Sequence, residues 1–166
     1  LLEWEWLRQF EASGSMTPEN GWLPYHLTIR SGSALVAAAP LYIKGHSEGE
    51  FVWDYMWDDV AHQLKVDYYP KLIGMSPATP AVDYRFLIAL GENEDQLTDV
   101  LLYAIDQFCE HNNLSGSSFH FVDDTWKPSC ANWSAIRCGP HAGFASAVAT
   151  IFRSSVGANC GGRPRC

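Results

Sequence analysis

Basic residues are scarce in this chain: Lys and Arg number 11 against 19 Asp and Glu, for a formal net charge of -8 at pH 7. Binding nucleic acid through its phosphates needs clustered cations. No basic stripe runs through the sequence, which argues against DNA as a partner. Long apolar runs are missing as well. No stretch approaches the roughly 20 residues that cross a bilayer, and the first residues lack both the basic region and the apolar core of a signal peptide. A cytoplasmic location with no transmembrane segment is therefore expected, although the chain opens on Leu1 rather than Met, leaving room for a targeting segment upstream. The five Cys form no CxxC pair and no paired His spacing accompanies them, so no metal is expected. Also absent are a phosphate-binding Gly-rich loop, a Gly-x-Ser-x-Gly elbow, a metalloprotease helix and a dinucleotide fingerprint, which turns the chemistry away from nucleotide hydrolysis, serine hydrolysis and zinc catalysis.

What is present suits one ordinary domain. Over 166 residues, 47% apolar and 13% aromatic content is enough for a real core. The composition breaks near residue 129. Residues 129–166 hold no Asp or Glu and four Arg (137, 153, 163 and 165), a charge of +4, while the remainder carries 7 basic minus 19 acidic, or -12. Cys130, Cys138, Cys160 and Cys166 also fall in this tail, whereas Cys109 lies in a helical pattern where a small buried thiol is expected. A basic tail, a small disulfide-bearing appendage and a translation out of the gene's reading frame are the three readings of this segment. The third is favoured by the joint loss of carboxylates and gain of Cys, Arg, Pro and Gly. Residues 1–123 are expected to be the folded body and 124–166 an atypical tail, out of frame or disordered.

In the body, "LLEWEWLRQFEASGS" spaces Leu2, Trp6, Phe10 and Leu7 as an amphipathic helix that stops at Ser13-Gly14. "WLPYHLTIRSGSALVAAAPLYI" predicts an antiparallel hairpin about "RSGS", with Pro24 and Pro40 at a strand start, edge or bulge. "VWDYMWDDVAHQLK" has helical spacing at Trp53, Trp57, Val60 and Leu64, with Asp54, Asp58 and Asp59 on the other face. "YYPKLIGM", "YRFLIAL" and "SSFHFV" predict strands. Glu94 to Asn112 predicts a long helix with a stripe of Leu97, Val100, Leu101, Ala104, Ile105 and Phe108. The order of elements favours an α/β or α+β sheet layered by helices.

Two polar clusters interrupt this pattern. Residues 41–57, "LYIKGHSEGEFVWDYMW", place Lys44, His46, Ser47 and Glu50 just past a strand end, at the rim of a sheet where ligand sites form. A Lys there holds an anionic or carbonyl group, and His46 or Glu50 accepts a proton from an attacking amine. The alternative is a solvated loop with turns at Gly45 and Gly49. The second cluster is "DYYPKL": adjacent Tyr68 and Tyr69 present opposite faces if extended, and Lys71 either pairs with a carboxylate of the first cluster or lies on the surface. Arg85 is either a carboxylate or phosphate clamp or a structural partner of Asp83 or Asp54. His26 on a strand is expected to be a satisfied, half-buried histidine.

Read in order, "FEASGS", "GWLPYHL", "AAPLYIKGHSEGEFVWDYMW", "YYPKL", "SPATP" and "YRFLIAL" resemble the bacterial FemAB-like family of peptidoglycan biosynthesis or recognition proteins, grouped with the GNAT acyltransferases. The resemblance covers residues 3 to 123 and is most specific at "YIKGHSEGEFVWD" and "YYPKL". It implies a GNAT-like, mixed and largely antiparallel sheet flanked by helices, here one half of a tandem arrangement. It also implies transfer of an acyl or aminoacyl group to an amine, the donor being acyl-CoA or aminoacyl-tRNA and the acceptor a small-molecule or cell-wall precursor amine. The residues matching the strongest motif positions are Lys44, His46, Ser47, Glu50, Asp54, Tyr68, Tyr69, Lys71 and Arg85, with His46 and Glu50 as proton acceptors and the others binding substrate. "MSPATP" departs from the family's aromatic "PFTP"-like run, and the family's basic helix after the last strand has no counterpart. A non-catalytic recognition module binding a precursor or protein through Trp and Tyr is the alternative of a different class.

Overall fold

The computed structural model describes residues 2–46, 54–123 and 126, and the backbone of 136–138 and 149–152. Ser47, Glu50 and Trp53, and all of the tail beyond 126 except those two backbone segments, lie outside the described residues. The elements are α1 (Trp4–Ala12), a 3-10 turn (Pro18–Asn20), β1 (Trp22–Pro24), β2 (Leu27–Ser31), β3 (Ala34–Ala39), β4 (Tyr42–Lys44), α2 (Tyr55–Leu64), β5 (Lys71–Gly74), β6 (Leu87–Ile88), α3 (Glu94–His111), β7 (Gly116–Phe119), β8 (Ile136–Cys138) and β9 (Ala149–Phe152).

The fold is mixed α+β, as the order of elements predicts, but the strands form two sheets rather than one. A six-stranded sheet runs β1-β4-β5-β7-β9-β8 and a three-stranded sheet β2-β3-β6. Every pairing is antiparallel except β5 with β7. The expected hairpin about "RSGS" is present, with Gly32 in the left-handed region at its turn. Each of its arms, however, is broken near a proline, and the outer parts β1 and β4 pair in the larger sheet. Pro40 has no N–H and fits only where the ladder is interrupted. At the break, the backbone N–H of Leu41 donates to His26 Nδ1 (3.1 Å), and His26 Nε2 meets Glu11 Oε1 at 2.9 Å. An Nδ1 that accepts fixes the proton on Nε2. His26 is therefore the satisfied histidine the sequence predicts, tying α1 to the strand break.

The larger apolar core lies between the sheets and α3. Leu41, Leu72, Tyr84, Phe86, Leu101, Ile105, Cys109 and Phe119 are among its buried members. In α3, Asn93 Oδ1 caps the first turn by accepting from Gln96 N (3.0 Å). Its buried face is Thr98, Leu101, Leu102, Ile105 and Cys109, so the expected stripe is rotated and Val100 points outward. Gly74 is required where it stands: a Cβ there would sit 2.4 Å from Tyr84 Oη and 2.6 Å from Phe119 Cδ1. A smaller cluster of Met16, Trp22, Tyr42, Ile73 and Met75 occupies the opposite face of the larger sheet.

Two expectations need correction. The apolar spacing of α2 does not face the core: Trp57 is 56% exposed, and Met56, Val60 and Leu64 are exposed with it. The buried residues of this segment are Ala61 and Asp54, the latter expected on the solvent face. "YRFLIAL" supplies only a two-residue strand, preceded by an isolated parallel bridge between Tyr84 and Val122.

Candidate functional site

One end of the larger sheet is built from lysines where a core strand would carry apolar residues. Lys44 closes β4 and Lys71 opens β5, and the antiparallel register sets them directly opposite each other. Successive strand residues point to opposite faces, so Ile43 and Leu72 go to the main core while Lys44 and Lys71 share the other face with Tyr42 and Ile73. Both lysines are buried, Lys44 to 0% exposure. The Lys44 ammonium lies 3.8 Å from the centre of the Trp22 ring, a desolvated cation–π contact from the neighbouring strand.

Asp54 supplies the carboxylate. It stands at the N-cap of α2, where its backbone carbonyl accepts from Trp57 N (2.9 Å) and Asp58 N (3.2 Å), but its side chain does not cap the helix. It turns instead to the sheet. Lys71 Nζ donates to Asp54 Oδ2, and the hydroxyls of Tyr68 and Tyr69 donate to Oδ2 and Oδ1, each at 3.1 Å. The two tyrosines thus converge on one carboxylate rather than opposing each other, because they precede β5 and do not follow its alternation. Their rings meet edge-on, 4.9 Å apart, and the Lys71 ammonium lies 4.1 Å and 4.8 Å from their centres. Ser115 anchors this turn through Oγ to Tyr68 O and through N to Pro70 O.

The charges act on one another. Burial alone would raise the Asp54 carboxyl, but the Lys71 ammonium and the Tyr69 and Tyr68 hydroxyls outweigh it and hold the carboxyl below its usual range. Burial draws the Lys71 ammonium below the ordinary lysine value, opposed by Asp54. Lys44 is drawn down to about 7, chiefly by burial; Asp54 opposes the shift and Lys71 reinforces it. The Tyr68 hydroxyl is raised by burial and by Asp54.

Of the residues singled out from sequence, Lys44, Asp54, Tyr68, Tyr69 and Lys71 meet here. His46, two residues past Lys44, packs its ring against Gly21, where a Cβ would lie 2.7 Å from Cε1; Gly45 N also reaches Gly21 O at 3.4 Å. Gly21 has a φ of +75°, so both its backbone and the ring require glycine. Ser47 and Glu50 lie outside the described residues. Arg85 is exposed between the buried Tyr84 and Phe86, and no contact among the described residues joins it to the cluster.

Three residues on the same face escape the sequence reading. Trp22 belongs to the site through its contact with Lys44, which its strand position gives no hint of. His120 follows β7, extends the ladder through His120 N to Gly74 O (2.9 Å), and is 3% exposed. Its imidazolium is disfavoured first by burial and next by Lys71, which takes it down to about 4. Tyr42, fully buried, packs edge-on against both Trp22 and His26. Among the described residues no group of three or more His, Cys, Asp or Glu is placed to hold a metal ion, and no helix is long and apolar enough to cross a membrane.

A sequence model of the FemAB-like family, described as peptidoglycan biosynthesis/recognition, matches residues 1–141, a span that continues past Asp123. No curated protein and no solved structure matches the chain.

Proposed function

Because the chain belongs to the FemAB-like family of peptidoglycan biosynthesis and recognition, we propose that the Lys44–Asp54–Lys71 end of its larger sheet is an acyl-transfer site acting on a cell-wall precursor amine. The observation that carries this reading is the buried convergence of two facing lysines, a carboxylate and two tyrosine hydroxyls from three separate stretches of chain. Such groups suit a reaction in which a carbonyl oxygen gains negative charge in a dry site. The acceptor nitrogen attacks the carbonyl of a thioester or ester, as carried by acyl-CoA or aminoacyl-tRNA. A C–N bond forms, the C–S or C–O bond breaks, and the proton lost from nitrogen ends on the leaving thiol or alcohol. Lys44 holds the carbonyl oxygen. Asp54 positions Lys71 and both tyrosines rather than taking a proton, since its oxygens already accept from three donors. His46, next along the same strand extension, relays the proton; Glu50 is the other group proposed for that step.

The test is incubation of the chain with an acyl-CoA or an aminoacyl-tRNA and an amine-bearing precursor, with the amide product read by mass spectrometry. Product that disappears in Lys44→Met supports acyl transfer, and equal product from Lys44→Met and the parent chain refutes the role of the cluster. The exposed Tyr55, Met56 and Trp57 on α2 favour a second reading as a recognition module. In that case the precursor binds to both chains equally and is released unmodified.

A further inference from the structure

Polar groups buried without partners are rare in folded chains, and each calls for an occupant. On the face that carries Lys44 and Lys71, Tyr42 Oη and both ring nitrogens of His120 are buried with no hydrogen-bond partner. Register places them on one face, with β5 running between them: Tyr42 is opposite Ile73, Ile73 is opposite Ser118, and His120 comes two residues after Ser118 and so points to the same side. Each atom left bare carries the desolvation penalty of an unmade hydrogen bond. The strands here have no need of them, since Phe or Leu would fill the same volumes.

The surroundings specify the chemistry of the occupant. A neutral imidazole offers one N–H and one acceptor nitrogen, and a tyrosine hydroxyl offers a donor. A complementary ligand therefore presents both a donor and an acceptor. Burial penalises a charged group of either sign, and at His120 the influences of Lys71 and Asp54 oppose each other. Trp22, Met75 and Ile73 make the adjoining wall apolar. An uncharged amide meets all of these conditions, its N–H facing an imidazole nitrogen and its carbonyl accepting from the hydroxyl or the other nitrogen.

We propose that Tyr42 and His120 form a buried subsite for a secondary amide of the ligand, either a peptide bond or an N-acyl group on a sugar. This deepens the acyl-transfer reading, on which it rests only for the assignment of this face to ligand binding.

The experiment titrates the 15N-labelled full chain with N-acetyl-alaninamide, N-acetylglucosamine, acetate and ethylammonium, following the His120 ring nitrogens by NMR. One or both amides should shift these resonances saturably while the two ions leave them in place; which amide does so identifies the source. Tyr42→Phe should bind that amide about fivefold more weakly, the effect of one neutral hydrogen bond. Its melting temperature should be unchanged or higher, because Oη has no protein partner to lose. The proposal is overturned if neither amide moves the His120 nitrogens, if the ions move them equally, or if Tyr42→Phe lowers the melting temperature and leaves amide affinity intact. No acyl donor is in the sample, so failure of acyl transfer and failure of amide binding are separate results.

Discussion

His120 makes the stability of this fold depend on pH in a window that can be calculated. The imidazole is taken down to about 4 in the folded chain by burial and by Lys71, from an ordinary value of 6.5. Between those two values the unfolded chain binds a proton that the folded chain refuses, so stability rises with pH across the window and is lost as pH falls from 6.5 towards 4. The full effect is the shift of roughly 2.5 pH units multiplied by 1.36 kcal/mol, or about 3 kcal/mol. Other groups titrate over the same range, so the measurement is a difference: urea unfolding of the parent chain and of His120→Gln at intervals from pH 4 to 7. Glutamine is polar and does not titrate. The gap between the two stabilities should change by about 3 kcal/mol over the window, with the parent losing more on acidification. Independently, the Cε1 proton of His120 should titrate near 4 by NMR. Parallel stability curves, with His120 titrating near its ordinary value, would show that the imidazole is in contact with water and would remove it from the buried face.

The site carries three further expectations. If the Lys44 cation holds the reacting carbonyl, turnover should fall as pH rises through about 7, and Lys44→Arg should move that decline above pH 9 because a guanidinium keeps its charge. Asp54→Asn leaves Lys71 buried without its carboxylate and should lower stability by about 3–5 kcal/mol in chemical unfolding, whereas Tyr69→Phe, which removes one hydrogen bond to the same carboxylate, should cost about 1.5 kcal/mol. Gly21→Ala should lower stability by about 1–2 kcal/mol from its positive φ and displace the His46 ring, seen as a changed His46 NMR shift, while Gly14→Ala, open on every side, should leave that shift alone.

The parts of this molecule legible in sequence are those whose periodicity has a single interpretation. α3 carries five turns of consistent spacing and a capping Asn93, so its limits are plain, although its buried arc is turned towards Leu102 and Cys109. The hairpin is legible from "RSGS", but its division between two sheets is not, because nothing in the pattern tells a strand that pairs on one sheet from one that continues onto another. The prolines mark where the break occurs, not which sheet the chain joins beyond it. α2 misleads because apolar spacing defines a helix face and not its destination: the core beneath this helix accepts Ala61 and the Asp54 carboxylate, and leaves Trp57 and Leu64 outside. In the site, the sequence leaves Lys71 either to pair with a carboxylate or to lie on the surface; the carboxylate it meets is Asp54, which the helical spacing of α2 assigns to the solvent face. His120 is hidden within "SSFHFV" because a single histidine on a strand carries no local signal. Only the parallel pairing of β5 with β7, a contact distant in sequence, brings it to the face that Lys71 occupies.

The two faces of the larger sheet make the case for ligand binding on energetic grounds. Towards α3 the sheet presents Ile43, Leu72 and Phe119, an apolar layer that accounts for the fold by itself. On the reverse face the same three strands present Lys44, Lys71, Ser118 and His120. Like charges opposed across antiparallel strands are unfavourable, and buried ion pairs are commonly no more stabilising than apolar residues of equal volume. A sequence shaped by stability alone would have no use for lysine at both members of a facing pair, nor for a histidine with two bare nitrogens. Their joint presence on one face, with a hydroxyl on that face that also lacks a partner, is accounted for if an outside molecule completes them, and the peptidoglycan-related family to which the chain belongs fixes the setting in which that molecule is to be sought.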